Sequence, residues 1–195
     1  MVETTSKRQQ EIIESAGKLL IEKGIKGLTT KNLAQEMGFS ESALYRHFKN
    51  KEDIIVLLLN YLFFNIKERL EIIQSKDVSA EEKLHLIFKS QFSYFSQNPH
   101  FIIAILSEGL FDETEKIYQA MLKIINYKMQ VISGIIEDGK RNNEINPFIQ
   151  TTEIVHIIMG SFRLMMLKWK LSKFEINLAV EGNKIMQTNI KLFMQ

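Results

Sequence analysis

Apolar residues along this chain recur at intervals of three and four, in runs punctuated by single glycines, asparagines and the Asn98-Pro99 and Asn146-Pro147 pairs. No stretch alternates apolar and polar residues for long, so the pattern predicts helices throughout and an all-α fold of about nine helices. The first helix starts after Ser6, with Gln9 three residues on completing a capping box, and carries Ile12, Ala16, Leu19 and Leu20 on one stripe. Gly24 suits its left-handed stop. Thr29 or Thr30 caps a second helix with Leu33, Ala34 and Met37 facing inward, and Gly38 ends it. Ser40 caps a short third helix bearing Ala43, Leu44 and Phe48.

Longer elements follow. Asn50 caps a helix to about Gln74, with Glu52 and Asp53 in its first turn where the helix dipole favours acids. Ser79 and Glu82 frame the start of a helix bearing Leu84, Ile87, Phe88, Phe92 and Phe95. A brief apolar helix begins at His100 and breaks at Gly109; Asp112 then opens a long helix from Ile117 to Ile136 that stops near Gly139. After the loop KRNNEINPF, two last helices are predicted at about 152–171 and 175–194.

Composition narrows the setting more than the function. The chain has 195 residues, enough for a sizeable core, and no cysteine, which excludes disulfides and thiolate metal sites. The polar start MVETTSKRQQ lacks the apolar segment of a secretory signal, and no run has the roughly 18 apolar residues of a membrane span. A cytoplasmic protein is expected. The net charge of +2 falls entirely in the first quarter: residues 1–50 hold 8 Lys/Arg against 6 Asp/Glu, and residues 51–195 hold 17 of each.

The second and third predicted helices are joined by only Gly38, Phe39 and Ser40. So tight a turn forces two short amphipathic helices across each other, the arrangement of a helix-turn-helix whose second helix enters the DNA major groove. Ala34 is small where the helices approach, and Gly38 permits a positive backbone angle. The run TKNLAQEMGFSESALYRHFKNKED from Thr30 to Asp53 resembles the N-terminal signature of the tetracycline-repressor-type (TetR) regulators, specifically over about residues 8–55. Beyond it the resemblance is architectural, including Gly139-x-x-x-x-Glu144-Ile145 before the last helix pair. It implies a homodimer, a palindromic operator in double-stranded DNA and a C-terminal effector cavity.

By that resemblance Thr30 and Lys31 contact phosphates, Glu41, Ser42, Ala43 and Arg46 face base edges, and Tyr45, His47 and Lys51 contact phosphates, with Ser40 in the same DNA-binding set. Hydroxyls, a phenol and cations on one short helix suit those tasks, and Arg46 has the chemistry for a bidentate guanine contact. Glu41 departs from it, since phosphates repel a carboxylate: it either accepts from a cytosine amine or only stabilises the helix N-terminus. Residues 1–48 are thus read as the DNA-binding domain and 49–195 as the effector and dimerisation domain.

The helix over 152–171 is apolar nearly all round, so it needs burial on more than one side. Gly160 and Gly182 stand mid-helix, each at a cost of about 1 kcal/mol relative to Ala, which close helix approach would explain. Gly160, Phe162, Met166, Trp169, Gly182, Ile185, Met186 and Phe193 are the candidate dimer interface, the alternative being an ordinary core. For a small, largely apolar effector, Phe88, Phe92, Phe95, Tyr118, Met121 and Met159 are candidate walls or plain core. His156 and Arg163 are its candidate polar anchors, or else lie on the surface or the dimer interface. No cofactor is expected.

One enzymatic pattern competes. Glu82-x-x-His85 and Glu153-x-x-His156 have the spacing used by di-iron carboxylate bundles, with Glu71 and Glu108 as possible single ligands. With 4 histidines and 19 glutamates in 195 residues, chance supplies about 0.4 such pairs, so two are weak evidence. Glycine-rich phosphate loops, HExxH and G-x-S-x-G are absent from the sequence, and a non-enzyme is expected.

Overall fold

Local capping sets where the helices begin. The computed structural model describes residues 6–45, 48–107 and 114–195, and among them are nine helices and no strand. They are α1 (Lys7–Gly27), α2 (Thr30–Glu36), α3 (Glu41–Tyr45), α4 (Lys51–Gln74), α5 (Ala80–Gln97), α6 (His100–Ile105), α7 (Glu115–Arg141), α8 (Thr151–Leu171) and α9 (Leu178–Lys191). Ser6 and Gln9 form the capping box of α1, and Thr29, not Thr30, caps α2 by accepting the Asn32 N–H at 3.1 Å. The Asn50 side chain accepts from the Asp53 N–H at 3.1 Å, and Ser79 Oγ accepts from the Glu82 N–H at 3.2 Å.

Some boundaries differ from the sequence pattern. Gly24 has φ 63°, but it kinks α1 rather than ending it. Thr114 Oγ1 accepts from the Ile117 N–H at the start of α7; Glu108, Gly109 and Asp112 lie outside the described residues. At its other end α7 runs past Gly139, and Asn143 takes the left-handed turn (φ 57°) while the Glu144 N–H reaches the Gly139 carbonyl at 2.8 Å. Helix α9 starts later than expected because Lys173 and Phe174 are both left-handed, closing α8 through Phe174 N–H to Trp169 O at 2.9 Å. The Asn177 side chain then caps α9 through the Val180 N–H.

The chain divides into two compact units, with α4 and α7 each contributing to both. In the unit made by the segments up to Phe64 and Asn98–Lys123, Ile12, Ala16, Leu19, Leu20, Leu33, Ala34 and Leu44 are buried together with Ile54, Leu58 and Phe101. Helices α1 and α6 come so close that a Cβ on Gly17 would lie 3.0 Å from the His100 ring. Burial there pulls the His100 imidazole down to about 4, so it is neutral at physiological pH.

The second unit, Asn65–Gln97 with Ile124–Gln195, is centred on aromatic rings. Phe88, Phe92 and Phe95 of α5 meet Phe162 of α8 at centroid distances of 5.6, 5.4 and 6.5 Å. Helix α9 packs on α5 with Gly182 over Phe92, where a Cβ would fall 2.7–2.8 Å from three ring atoms. Ile145 pairs with Met194 in an isolated antiparallel bridge, and the Glu144 carboxylate accepts the Ala80 N–H at 2.6 Å, capping α5.

Gly182→Ala should lower the denaturation midpoint by an amount worth about 1–3 kcal/mol, because Phe92 is wholly buried and has nowhere to go. Gly134→Ala, on the exposed side of α7 with open space around it, should instead stabilise by up to about 1 kcal/mol. Chemical denaturation of the two variants checks this contrast.

Candidate functional site

The turn between α2 and α3 is closed by the backbone. Gly38 adopts φ 68°; its N–H reaches Gln35 O at 3.1 Å, and the Phe39 N–H reaches Ala34 O at 2.8 Å. These two bonds satisfy the end of α2 and turn the chain at once into α3. Ser40 Oγ accepts from the Ala43 N–H at 3.3 Å and shares a hydrogen bond with Ser42 Oγ at 3.1 Å. Leu44 and Phe48 are buried beneath, so the opposite side of α3 is left to solvent.

On that side Lys31, Ser40, Glu41, Ser42 and Tyr45 are exposed, Thr30 and Ala43 half-buried. Thr30 Oγ1 donates to Tyr45 Oη at 3.2 Å, so the first residue of α2 and the last of α3 present two hydroxyls side by side. Paired hydroxyls of this kind have the chemistry to bond a phosphate. Lys51 opens α4, half-buried. Arg46 and His47 lie outside the described residues. Behind this surface, Lys18 bridges α1 to Glu36 of α2 at 2.6 Å, and Arg8 stacks over Phe39 at 3.7 Å. The Lys18 ammonium is held above its usual range by its hydrogen bond to Glu36.

The candidate effector residues separate. Met121 is buried and Tyr118 exposed in the first unit. In the second, Phe88, Phe92 and Phe95 are buried and Met159 half-buried, while Arg163 and His156 face solvent, His156 Nδ1 lying 2.6 Å from Thr152 O. Of the candidate interface residues, Phe162, Met166, Trp169, Gly182, Met186 and Phe193 are buried within the single chain, Ile185 is half-buried and Gly160 exposed. What α8 leaves uncovered is Ile157, Leu164, Leu167 and Leu171, which with Gly160 are spaced three, four, three and four apart in one seam.

Two polar residues, Lys128 and Gln91, are buried in the aromatic core, and a third, Arg69, is half-buried against it; none was anticipated from the sequence. Lys128 of α7 is buried with its Nζ 4.3 Å from the Phe162 ring centroid. Arg69 of α4 lies over Tyr94 at 4.4 Å, donates Nε to Asn65 at 2.8 Å and Nη1 to Ser90 O and Oγ at 3.0 and 2.9 Å, and leaves its buried Nη2 without a partner. Gln91 of α5 is fully buried, and neither of its amide atoms is bonded. A signal existed for each: Lys128 stands four after Ile124 and four before Ile132, Gln91 falls between Phe88 and Phe95, and Arg69 between Ile66 and Ile73, all at core register. Burial, and next the nearby Arg69 charge, pull the Lys128 ammonium down to about 7; burial likewise lowers the Arg69 guanidinium.

Comparison with known proteins fits this geometry. Residues 12–58, spanning the helix-turn-helix, match the family described as bacterial regulatory proteins, tetR family, and residues 59–191 match the C-terminal region of the YsiA-like proteins. The chain belongs to the TetR family. It is therefore a DNA-binding transcriptional regulator of all-α fold. Similar to this TetR-family chain is the fatty acid metabolism regulator protein of Bacillus subtilis, 23% identical over 180 residues and 92% of each chain. Among solved structures, FadR from Bacillus subtilis in complex with stearoyl-CoA superposes with a TM-score of 0.81 at 23% identity, over 93% of this chain and 97% of that one. The triclosan complex of SmeT, a Stenotrophomonas maltophilia repressor, does so with a TM-score of 0.80 at 12% identity, over 96% and 91%.

The di-iron reading is corrected by the side chains. Such a site needs its carboxylates and histidines to converge inside the bundle. In this TetR-family chain Glu82, Glu153, His156 and Glu71 are exposed, Glu153 accepts from the Gln150 N–H, and His85 lies 3.6 Å from Glu81. Among the described residues no group of three or more metal-ligating side chains comes together. No described helix is long and apolar enough to cross a membrane.

Lys128 makes a stability prediction. From about pH 7 up to its ordinary value near 10.4, the unfolded chain keeps a proton that the folded chain has released, so stability rises with pH across that window. Lys128→Met should raise stability at pH 7 by roughly 1–4 kcal/mol and remove that part of the slope. Denaturation midpoints of both proteins at pH 7 and pH 9 test the difference.

Proposed function

We propose that this TetR-family protein is a repressor that binds a palindromic operator as a homodimer and is released by a small, largely apolar effector. The observation that carries the reading is the Gly38-closed turn, which sets Thr30, Lys31, Ser42 and Tyr45 on one face above a buried Leu44 and Phe48. Residues 1–48 read DNA; residues 49–195 dimerise and take the effector. Thr30, Lys31, Tyr45, His47 and Lys51 hold phosphates, and Arg46 reads a base with Ser42 and Ala43 beside it.

The dimer follows from what α8 leaves bare. Ile157, Gly160, Leu164, Leu167 and Leu171 form an apolar seam of coiled-coil spacing, and a Cβ on Gly160 would have open space within its own chain. A second copy fills that space, and two recognition helices then meet major grooves about 34–36 Å apart. The effector binds in the aromatic core of the second unit and changes that spacing. Stearoyl-CoA in FadR and triclosan in SmeT support an apolar effector.

Selection of bound sites from random duplex DNA should return a palindrome. Tyr45→Ala and Lys31→Ala should weaken binding to all sequences and flatten its salt dependence, whereas Arg46→Ala should relax preference at one base position by about 1–3 kcal/mol. An unchanged sequence preference in Arg46→Ala would overturn the base-reading role. Leu164→Glu should leave the protomer folded, since that side chain is more than half exposed, and shift sedimentation from dimer to monomer with loss of operator affinity.

A further inference from the structure

Resting on the effector reading above, we propose that Arg69, Gln91 and Lys128 form a buried head-group site for the carboxylate of an aliphatic amphiphile, with Phe88, Phe95 and Phe162 receiving the start of its chain.

Buried polar groups in folded proteins are nearly always paired, because an unpaired one has lost its hydration with no hydrogen bond in return. Here three residues of one unit break that rule together. Lys128 is 6% exposed, and among the described residues its partner is the face of Phe162. Arg69 spends its Nε and Nη1 on Asn65 and Ser90 and keeps a buried Nη2 unbonded. Gln91 stands next to that same Ser90 and is wholly enclosed with both amide atoms unbonded. Residues three before and four after Gln91, Phe88 and Phe95, share its helix face, and both meet Phe162, the ring under Lys128. Two cations and an amide are thus tied to one aromatic cluster, and among the described residues no carboxylate is bonded to them.

The occupant's chemistry follows. An anion suits these residues best, because negative charge beside the Arg69 guanidinium and the Lys128 ammonium offsets their mutual repulsion and keeps Lys128 protonated. It must accept hydrogen bonds from a guanidinium N–H, an ammonium and an amide N–H, as a carboxylate does. It must also be apolar immediately beyond that group, because the neighbouring surface is phenylalanine. A neutral apolar ligand would leave the three polar residues unsatisfied.

The test measures binding of dodecanoate, dodecanol and dodecanoyl-CoA to the full-length dimer by calorimetry, and release of the selected operator in parallel. Dodecanoate should bind wild type about 10- to 100-fold more tightly than dodecanol, the worth of one or two charge-assisted hydrogen bonds. Lys128→Met and Gln91→Leu should each erase most of that preference while keeping dodecanol binding, which shows that they remain folded. Equal affinity of acid and alcohol for wild type, or an undiminished preference in both variants, would overturn the site. Tight dodecanoyl-CoA binding without dodecanoate binding would overturn the carboxylate assignment and leave ligand-responsive repression standing. Dodecanoate binding that depends on Lys128 but leaves operator affinity unchanged would support the site and overturn its regulatory role.

Discussion

Everything this protein can do to DNA depends on a turn that only a left-handed residue can make. At Gly38 the chain reverses within three residues, and two backbone hydrogen bonds to Ala34 and Gln35 hold it there. A side chain at φ 68° would cost strain at the one point that sets the crossing of α2 and α3. With the turn fixed, Leu44 and Phe48 point into the core and the remaining face of α3 must point out. The exposed hydroxyls and Tyr45 follow from that orientation, and the Thr30–Tyr45 hydrogen bond joins the two helices on the exposed side.

The second unit answers a different demand. Its centre is held by phenylalanine rings from α5 and α8, sealed by the close approach of Gly182 to Phe92. Such a core gains stability by excluding water, and a lysine and a glutamine inside it, with an arginine half-buried against it, work against that gain. Each therefore costs stability where it stands, and the proposed effector site would turn that cost to use. The cost is sharpest at Lys128, whose ammonium burial and the nearby Arg69 charge pull down to about 7.

Much of this was legible in the residues. The capping boxes and Asn50 marked helix starts, the 3.6-residue stripes marked the cores, and Gly38 with Ala34 marked the helix-turn-helix. Other features were harder to see. Candidate interface positions such as Phe162, Met166 and Trp169 are buried within one protomer, and the bare seam of α8 runs along another face. A helix apolar on every side does not declare which side its own chain will cover. Lys128, Gln91 and Arg69 stood at core register, yet a long polar side chain at such a position often snorkels to water, so periodicity left their burial undecided.

The sequence by itself determined the local and the periodic: helix number, caps, the left-handed turn and the residue types on the recognition helix, because these depend on contacts within a few residues. Tertiary structure alone decided which face of α8 is spent on the protomer, that His100 is packed against Gly17 and neutral, and that a cation lies over Phe162. Those outcomes depend on which residues distant in the chain come within a few ångströms, and on the water removed when they do.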